Sequence, residues 1–412
     1  MADATLSPAY GEAAVVAASQ GRGEPGWLTE QRAEASRAFA ALPMPTTMLR
    51  PWKYTDVSKL VIDGYAPASA VPSVIGAAPQ GGFAGPLAEA AADATLGPIV
   101  EAHLGSLVPA TEGKFVAANA AQWAGGIFVY VPRGQAFAEA VSVTIDVPDG
   151  EANQGAVFPR MLVVAEAASE VTVQMRSLSG AAADLLASQV VEVFAGADSH
   201  VNLVFDVDWG LATRDFSTIR AKTERGADVR IATLAIGGAV VKQFVEGILE
   251  GEGSQARIRG VALGDGDQHF DFVTLQDHVG PKTQSDVQIK TALAGASRSI
   301  YYGVTRVEET GLGAAAEQEN RNLLLSRHAK ADSDPVLEIL TNDVIRCGHG
   351  ATVGPVDQEA FFYLQSRGLD RRQAMKLLVA GFFNSVLADV GDEAFREEVA
   401  TEVEEKLAVA HI

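Results

Sequence analysis

Apolar residues follow two different periods along this chain, and the change of period divides it. Near the start, Ala35, Ala38, Phe39 and Leu42 recur at helical spacing. Thr29 can cap that helix, and prolines 43 and 45 end it. After Phe115 the period becomes two: Ile127, Val129 and Val131 alternate with other residues, then Val141, Val143, Ile145 and Val147. Strands are expected from there to about residue 350. Beyond Gly354 the helical period returns. Asp357 can cap a short helix carrying Phe361, Phe362 and Leu364, which Gly368 would stop. Asp370 with Gln373 forms a capping-box pattern opening a helix with Met375, Leu378, Val379, Phe382, Phe383 and Val386. A last helix sets Phe395, Val399, Val403 and Leu407 against a mostly glutamate surface.

Within the strand region a short unit returns: a turn of Gly, Ala, Ser or Asp, then alternating apolar residues. It starts its apolar positions at Val171, Val201, Val229, Ala256 and Val287, separated by 30, 28, 27 and 31 residues. Near-regular return is expected if each unit adds one coil to a stack and buries its apolar side against its neighbours. A parallel β-helix fits best. A two-sheet antiparallel sandwich is the competing reading, with turn signals every 8 to 12 residues as its own expectation.

The remaining segments complete a domain outline. Residues 1–26 are rich in Ala, Gly and small polar types and predict a mobile tail, with order beginning near Trp27. Residues 27–114 read as a helical region and linker, in which Trp52 and Tyr54 look like anchors onto the main body and 86–93 forms one helix. Residues 115–353 form the β core, and 354–412 a C-terminal helical domain. The bland reading of its apolar stripe is core packing; the functional one is a docking patch for a partner.

Composition narrows the function classes. Of 412 residues, 48% are hydrophobic and 20% charged, as in soluble globular proteins. A net charge of -20 argues against nucleic acid or an anionic membrane as main partner, since both need a positive face. No stretch approaches the roughly 20 uninterrupted apolar residues of a membrane span, and the N-terminus lacks the order of a signal peptide. One cysteine excludes an internal disulfide, so a cytoplasmic location is the simplest expectation.

That cysteine, Cys347, stands two residues before His349 in the run Asp343 to Gly354. In an extended backbone, side chains at i and i+2 leave the same face, with Cβ atoms about 7 Å apart. The pair is too wide to pinch one ion but suits a cluster. Against this, a lone cysteine is often a small buried hydrophobe and a lone histidine a hydrogen-bonded core residue. A stable iron–sulfur cluster usually takes four ligands, most of them cysteine, so any cluster here would be shared, transient or completed by other donors. His269 and His278 flank Asp271 and Asp277 and could form a metal or acid–base site; hydrogen bonds at coil corners explain them equally. No G-x-x-x-x-G-K-[ST] loop is present, and no G-x-G-x-x-G lies between a strand and a helix.

Several stretches together resemble the SufB/SufD scaffold family of the SUF iron–sulfur cluster assembly machinery, with SufD the closer likeness. They are Pro51 to Leu60, Asn119 to Trp123, Val131 to Gly134, Asn322 to Ser326, and the block from Asp334 through Cys347-Gly-His-Gly-Ala-Thr-Val-Gly354 to Gly368. The resemblance implies a right-handed parallel β-helix flanked by helical regions, in a non-catalytic scaffold subunit. It implies a heterodimer with a SufB-like paralogue, each chain also meeting a SufC-like ABC ATPase through its C-terminal helices. Phe361, Phe362, Met375, Leu378, Phe382 and Phe383 are the expected docking residues. A nascent iron–sulfur cluster or iron would sit at the scaffold interface, held by His349, with Cys347 beside it at the adjacent family position. Asn342, Asp343, Arg346, His349 and Thr352 are expected to line that interface, and a homodimer is conceivable when the partner is scarce. Gly348 stands where serine is common in the family. Two other functions compete: a β-helix polysaccharide lyase or hydrolase, and a purely structural partner with an inert Cys-x-His pair.

Overall fold

A computed structural model describes residues 6–68, 70–147, 153–388, 390 and 393–411. The strand region is a parallel solenoid of two facing sheets, which settles the choice against an antiparallel sandwich. The first sheet stacks Ile127–Val131, Arg160–Ala165, Asp184–Ala195, Arg214–Thr223, Val240–Leu249, His269–His278, Arg298–Val307 and Lys330–Ile339. The second stacks Val141–Val147, Glu170–Ser179, His200–Asp208, Asp228–Ala235, Gln255–Gly264, Gln284–Leu293, Ala314–Leu324 and Val344–Pro355. The chain alternates between the sheets, so each coil contributes one strand to each.

Period-two alternation turns one set of side chains into the space between the sheets, where coil-to-coil register builds columns. One column runs Val141, Val173, Leu203, Ile231, Ile258, Val287, Gln318 and His349. Its neighbour runs Val171, Val201, Val229, Ala256, Ser285, Ala316 and Cys347. The repeat read from the sequence therefore holds through Ala256 and then shifts: Ala256 pairs with Ser285, while Val287 pairs with Ile258. The reason is chemical. The interior becomes polar toward the C-terminal end, so the first inward residue of that coil is a serine.

Coil corners share one backbone feature. A residue with left-handed φ stands shortly before each of the six second-sheet strands from Glu170–Ser179 to Ala314–Leu324: Ala168 (57°), Asp198 (59°), Gly226 (68°), Gly253 (71°), Lys282 (58°) and Gly313 (70°). This tight reversal lets the chain pass from one sheet to the other, and glycine supplies it without strain.

The two ends of the solenoid differ. At the start, Phe83–Pro86 pairs antiparallel with Ile127–Val131, and Ser73–Ile75 antiparallel with Val141–Val147. These short strands, drawn from the segment read as a linker, cover the first coil. At the other end, Lys330–Ile339 and Val344–Pro355 are the last strands of their sheets, each with one backbone edge unpaired by any described strand.

Helices α1 (Glu12–Gly21), α2 (Gly26–Ala41), α3 (Leu87–Ala92), α4 (Gly97–His103) and α5 (Lys114–Gln122) form the N-terminal region. The expected mobile tail is corrected here: residues 1–5 lie outside the described residues, but order begins well before Trp27. Tyr10 is buried, stacks on Phe39 with centroids 5.3 Å apart, and donates its hydroxyl to the Tyr65 carbonyl at 2.9 Å. The alanines that suggested a tail are helix formers, and Val15 and Ser19 on α1 are buried. Helix α2 starts at Gly26 behind Pro25, three residues before the expected Thr29 cap; Thr29 lies inside the first turn. Trp52 anchors as expected, its ring 5.5 Å from Phe115 and 6.0 Å from Phe216.

Helices α6 (Gln358–Ser366), α7 (Arg371–Leu387) and α8 (Glu393–Val409) follow the solenoid. Asp357 accepts from the Glu359 and Ala360 amides, and Asp370 and Gln373 form the capping box. Val379, Phe383, Val386, Val399, Val403 and Leu407 join Val204, Leu234, Val261, Leu263 and Ala292 of the second sheet in one buried cluster. No described helix is long and apolar enough to cross a membrane.

Candidate functional site

Cys347 and His349 belong to the final strand of the second sheet and occupy inward-facing columns, above Ala316 and Gln318 respectively. In earlier coils those columns are sealed by the next coil. Here no described strand follows, so side chains that elsewhere form core face an open end: Cys347 is half-buried and His349 exposed. The sequence spacing thus delivers both donors to one face, and the fold places that face at the bare terminus.

Beneath the pair the interior is closed. Gln318 is fully buried; its Oε1 accepts from the Tyr301 hydroxyl at 2.9 Å and its Nε2 donates to Thr305 Oγ1 at 3.0 Å. Thr305 bonds on to Gln276, whose Nε2 donates to Ser285 at 2.7 Å, and Ser285 meets His278 Nε2 at 2.7 Å. Gly303 is required there, because a Cβ would run into Gln318 Oε1 and the Tyr301 hydroxyl. The packed layer blocks approach to the donors from below and leaves the open end free among the described residues.

On the outer side of the same strand, the Glu317 carboxylate lies beside Gly348 and pairs with Arg346 at 2.6 Å. A Cβ at 348 would stand 2.9 Å from Glu317 Oε2, so glycine permits this approach. Burial, and secondarily Glu317, push the Cys347 thiol up from its ordinary value, which favours the neutral thiol in the free chain. Among the described residues no three His, Cys, Asp or Glu side chains converge as a metal cage. Two donors of mixed softness are what this end offers.

The other expected interface residues gather at the same end. Asn342, Asp343, Arg346 and Thr352 are all exposed. The Asp343 carbonyl accepts from Gly313 at 2.8 Å, and the Thr352 carbonyl from Asn322 Nδ2 at 3.3 Å. Sequence reasoning missed the apolar part of this surface: Ile345 is 77% exposed, and Ile339, Leu340 and Val353 also stand open. Ile345 is the extra residue where register slips between Ala314 and Ala315, so the adjacent Val344 and Ile345 were the available signal.

The expected docking residues divide. Phe361, Met375 and Phe383 are buried in the cluster between helices and solenoid, and Leu378 and Phe382 pack partly against it. Phe362 is 71% exposed, and Tyr363 and Leu377 add exposed apolar surface nearby in sequence. Core packing thus accounts for most of the stripe, and Phe362 alone of the six presents an uncovered ring.

The grouping of His269, Asp271, Asp277 and His278 comes apart. His278 points inward between Thr283 and Ser285, and burial pulls its pKa down to about 4, leaving a neutral imidazole. His269 Nε2 lies 2.9 Å from Thr55 Oγ1, and Asp271 accepts from Thr55 and, at 2.6 Å, from the buried Lys242. Lys242 also donates to the Pro51 carbonyl. These bonds fasten the Arg50–Asp56 segment across the first sheet, so packing explains them.

Comparison with known proteins agrees with this architecture. The family model for the SUF system FeS cluster assembly SufBD core domain matches residues 148–382, more than half the chain. An iron–sulfur cluster assembly SufBD family protein of Mycobacterium tuberculosis is 31% identical over 289 residues, covering 68% of this chain and 71% of that one. The Mycobacterium leprae relative is 32% identical over 226 residues, and the match spans 58% of its length. Bacillus subtilis SufD is 29% identical over 312 residues (73% of this chain, 68% of that one) and its SufB 28% over 284 residues (69% and 60%). The matched core, the parallel solenoid and the Cys-x-His strand at its bare end agree: this chain belongs to the SufBD family of iron–sulfur cluster assembly proteins.

Proposed function

We propose that the chain is a SufD-like, non-catalytic scaffold subunit that meets a SufB-like paralogue end to end and holds a nascent iron–sulfur cluster, or iron, between the two. The observation carrying this reading is the bare final coil. Two strand edges of 10 and 12 residues, exposed Ile345, Leu340 and Val353, and the donors Cys347 and His349 share one uncovered end. An unpaired edge invites another chain, and natural proteins avoid leaving one long and apolar unless it is used. Two donors cannot satisfy an iron site, so the partner must contribute the remainder, including a stronger thiolate anchor. Similarity to SufB and SufD of Bacillus subtilis is nearly equal, so the SufD-like assignment leans on the resemblance around His349 and on the single cysteine.

In this reading iron and sulfide are cargo. His349 offers an imidazole nitrogen, Cys347 an auxiliary thiol, and the packed Gln318–Tyr301 layer supports the strand from below. A SufC-like ATPase would engage the C-terminal helices at Phe362, Tyr363 and Leu377, working in the cytoplasm. The test is co-expression with SufB-like and SufC-like subunits, anaerobic purification, and iron and sulfide analysis. His349→Ala should assemble normally yet carry several-fold less iron and sulfide. Equal loading would leave the chain as a structural partner with an inert pair.

A further inference from the structure

Two lysines fasten the C-terminal helices to the solenoid from opposite directions. Lys290, on the outer face of strand Gln284–Leu293, reaches out to α7. Its Nζ donates to the Phe382 carbonyl at 2.8 Å and to Ser385 Oγ at 2.6 Å, and lies 4.8 Å from the Phe382 ring centroid. Lys406, on α8, reaches in. Its Nζ donates to the Ile236 carbonyl, to the Leu263 carbonyl at 2.5 Å and to Gln268 Oε1 at 2.6 Å, so all three ammonium protons have acceptors. Ile236 and Leu263 belong to successive coils, and Lys290 to the next. Arg176, several coils earlier, adds ion pairs to Glu398 and Glu402 of α8. Such bonds fix orientation more than they add stability, since the cost of taking an ammonium out of water roughly cancels what its hydrogen bonds return. A purely apolar seam could slide; two directional clasps cannot.

We propose that Lys290 and Lys406 make the helical module a rigid extension of the solenoid, so that a load on its exposed Phe362–Tyr363–Leu377 surface is delivered to the final coil. Lys290 aligns with Arg321, and Arg321 with Thr352, on the strand that carries His349. This transmitting role rests on the ATPase reading above; the rigidity does not.

The lone cysteine makes the test clean. Spin labels at Cys347 and at an introduced Leu377→Cys give a distance distribution across the clasp in the full chain. It should be a single narrow peak, and Lys290→Met with Lys406→Met should at least double its width while circular dichroism stays unchanged. Equal widths overturn the proposal and leave the ATPase reading intact. In the co-expressed complex the double variant should bind the ATPase with unchanged Kd yet load several-fold less iron. Unchanged loading overturns the transmitting role, and failure of the unsubstituted chain to bind the ATPase overturns the reading beneath it.

Discussion

Asp215 sits inside the solenoid with no exposure, its carboxylate held by Gln189 Nε2 at 3.0 Å and Ser217 Oγ at 2.5 Å. Neutral donors cannot repay the loss of water around a charge, and burial pushes its pKa up to about 7. A folded-state value above the unfolded one means that stability is greatest below about 4, where the acid is protonated in both states, declines as pH rises from there to about 7, and levels off above it. Asp215→Asn removes the titration with little change of shape. Its unfolding free energy in urea should exceed that of the unsubstituted chain at pH 8.5 by an amount on the order of a few kcal/mol, with the gap narrowing as pH falls and vanishing below about 4. Asp206, pushed up to about 7 by burial as well, is common to both proteins and cancels in the comparison. Parallel pH profiles would show that Asp215 does not titrate in this range.

Six successive coils turn on a left-handed corner residue. For an L-residue other than glycine this backbone costs about 1–2 kcal/mol, partly offset by the lower entropy of its unfolded chain. Ala168→Gly should therefore stabilise by about 0.5–1 kcal/mol in urea unfolding. Gly226→Ala should destabilise by about 1–2 kcal/mol, since its φ is 68° and a Cβ would meet the Asp198 carboxylate. Ala168, Asp198 and Gly253 were legible in the sequence as turn residues before an apolar run, whereas Gly226, Lys282 and Gly313 were not, and the period of two gave the strands. The phase of the repeat was lost at Ser285, where apolar patterning gives way to hydrogen bonding and alternation carries no information. The first helix was missed for the converse reason: an alanine-rich segment reads the same whether it is solvated or packed, and only the Tyr10–Phe39 contact decides. The Cys-x-His spacing was legible locally. That both donors cap a column of core residues depends on the coil being the last, which residues 343–354 do not encode.

The molecule as a whole is asymmetric along its axis. Short antiparallel strands and the N-terminal helices cover the first coil, while the last coil stops with its edges and inward face open. An open end is an aggregation hazard in a monomer and a docking surface in an assembly, and the difference lies in whether charge defends it. Here Arg346 pairs with Glu317, and Asp332, Asp334 and Glu338 of the facing strand pair with Arg298, Arg50 and Arg306, so much of the charge at this end is neutralised, and the bulged Ile345 stands exposed among it. Ile345→Lys would place a long cation on this edge without touching the core. We expect its melting temperature to stay within about 1 °C, since a surface change away from buried features costs under roughly 0.5 kcal/mol. Association with the proposed SufB-like partner should weaken at least tenfold by sedimentation velocity. Phe362→Lys, at the other exposed apolar site, should leave that association unchanged and weaken the proposed ATPase binding instead. If Ile345→Lys associates as tightly as the unsubstituted chain, the bare end is not where the scaffolds meet, and His349 loses its place between them.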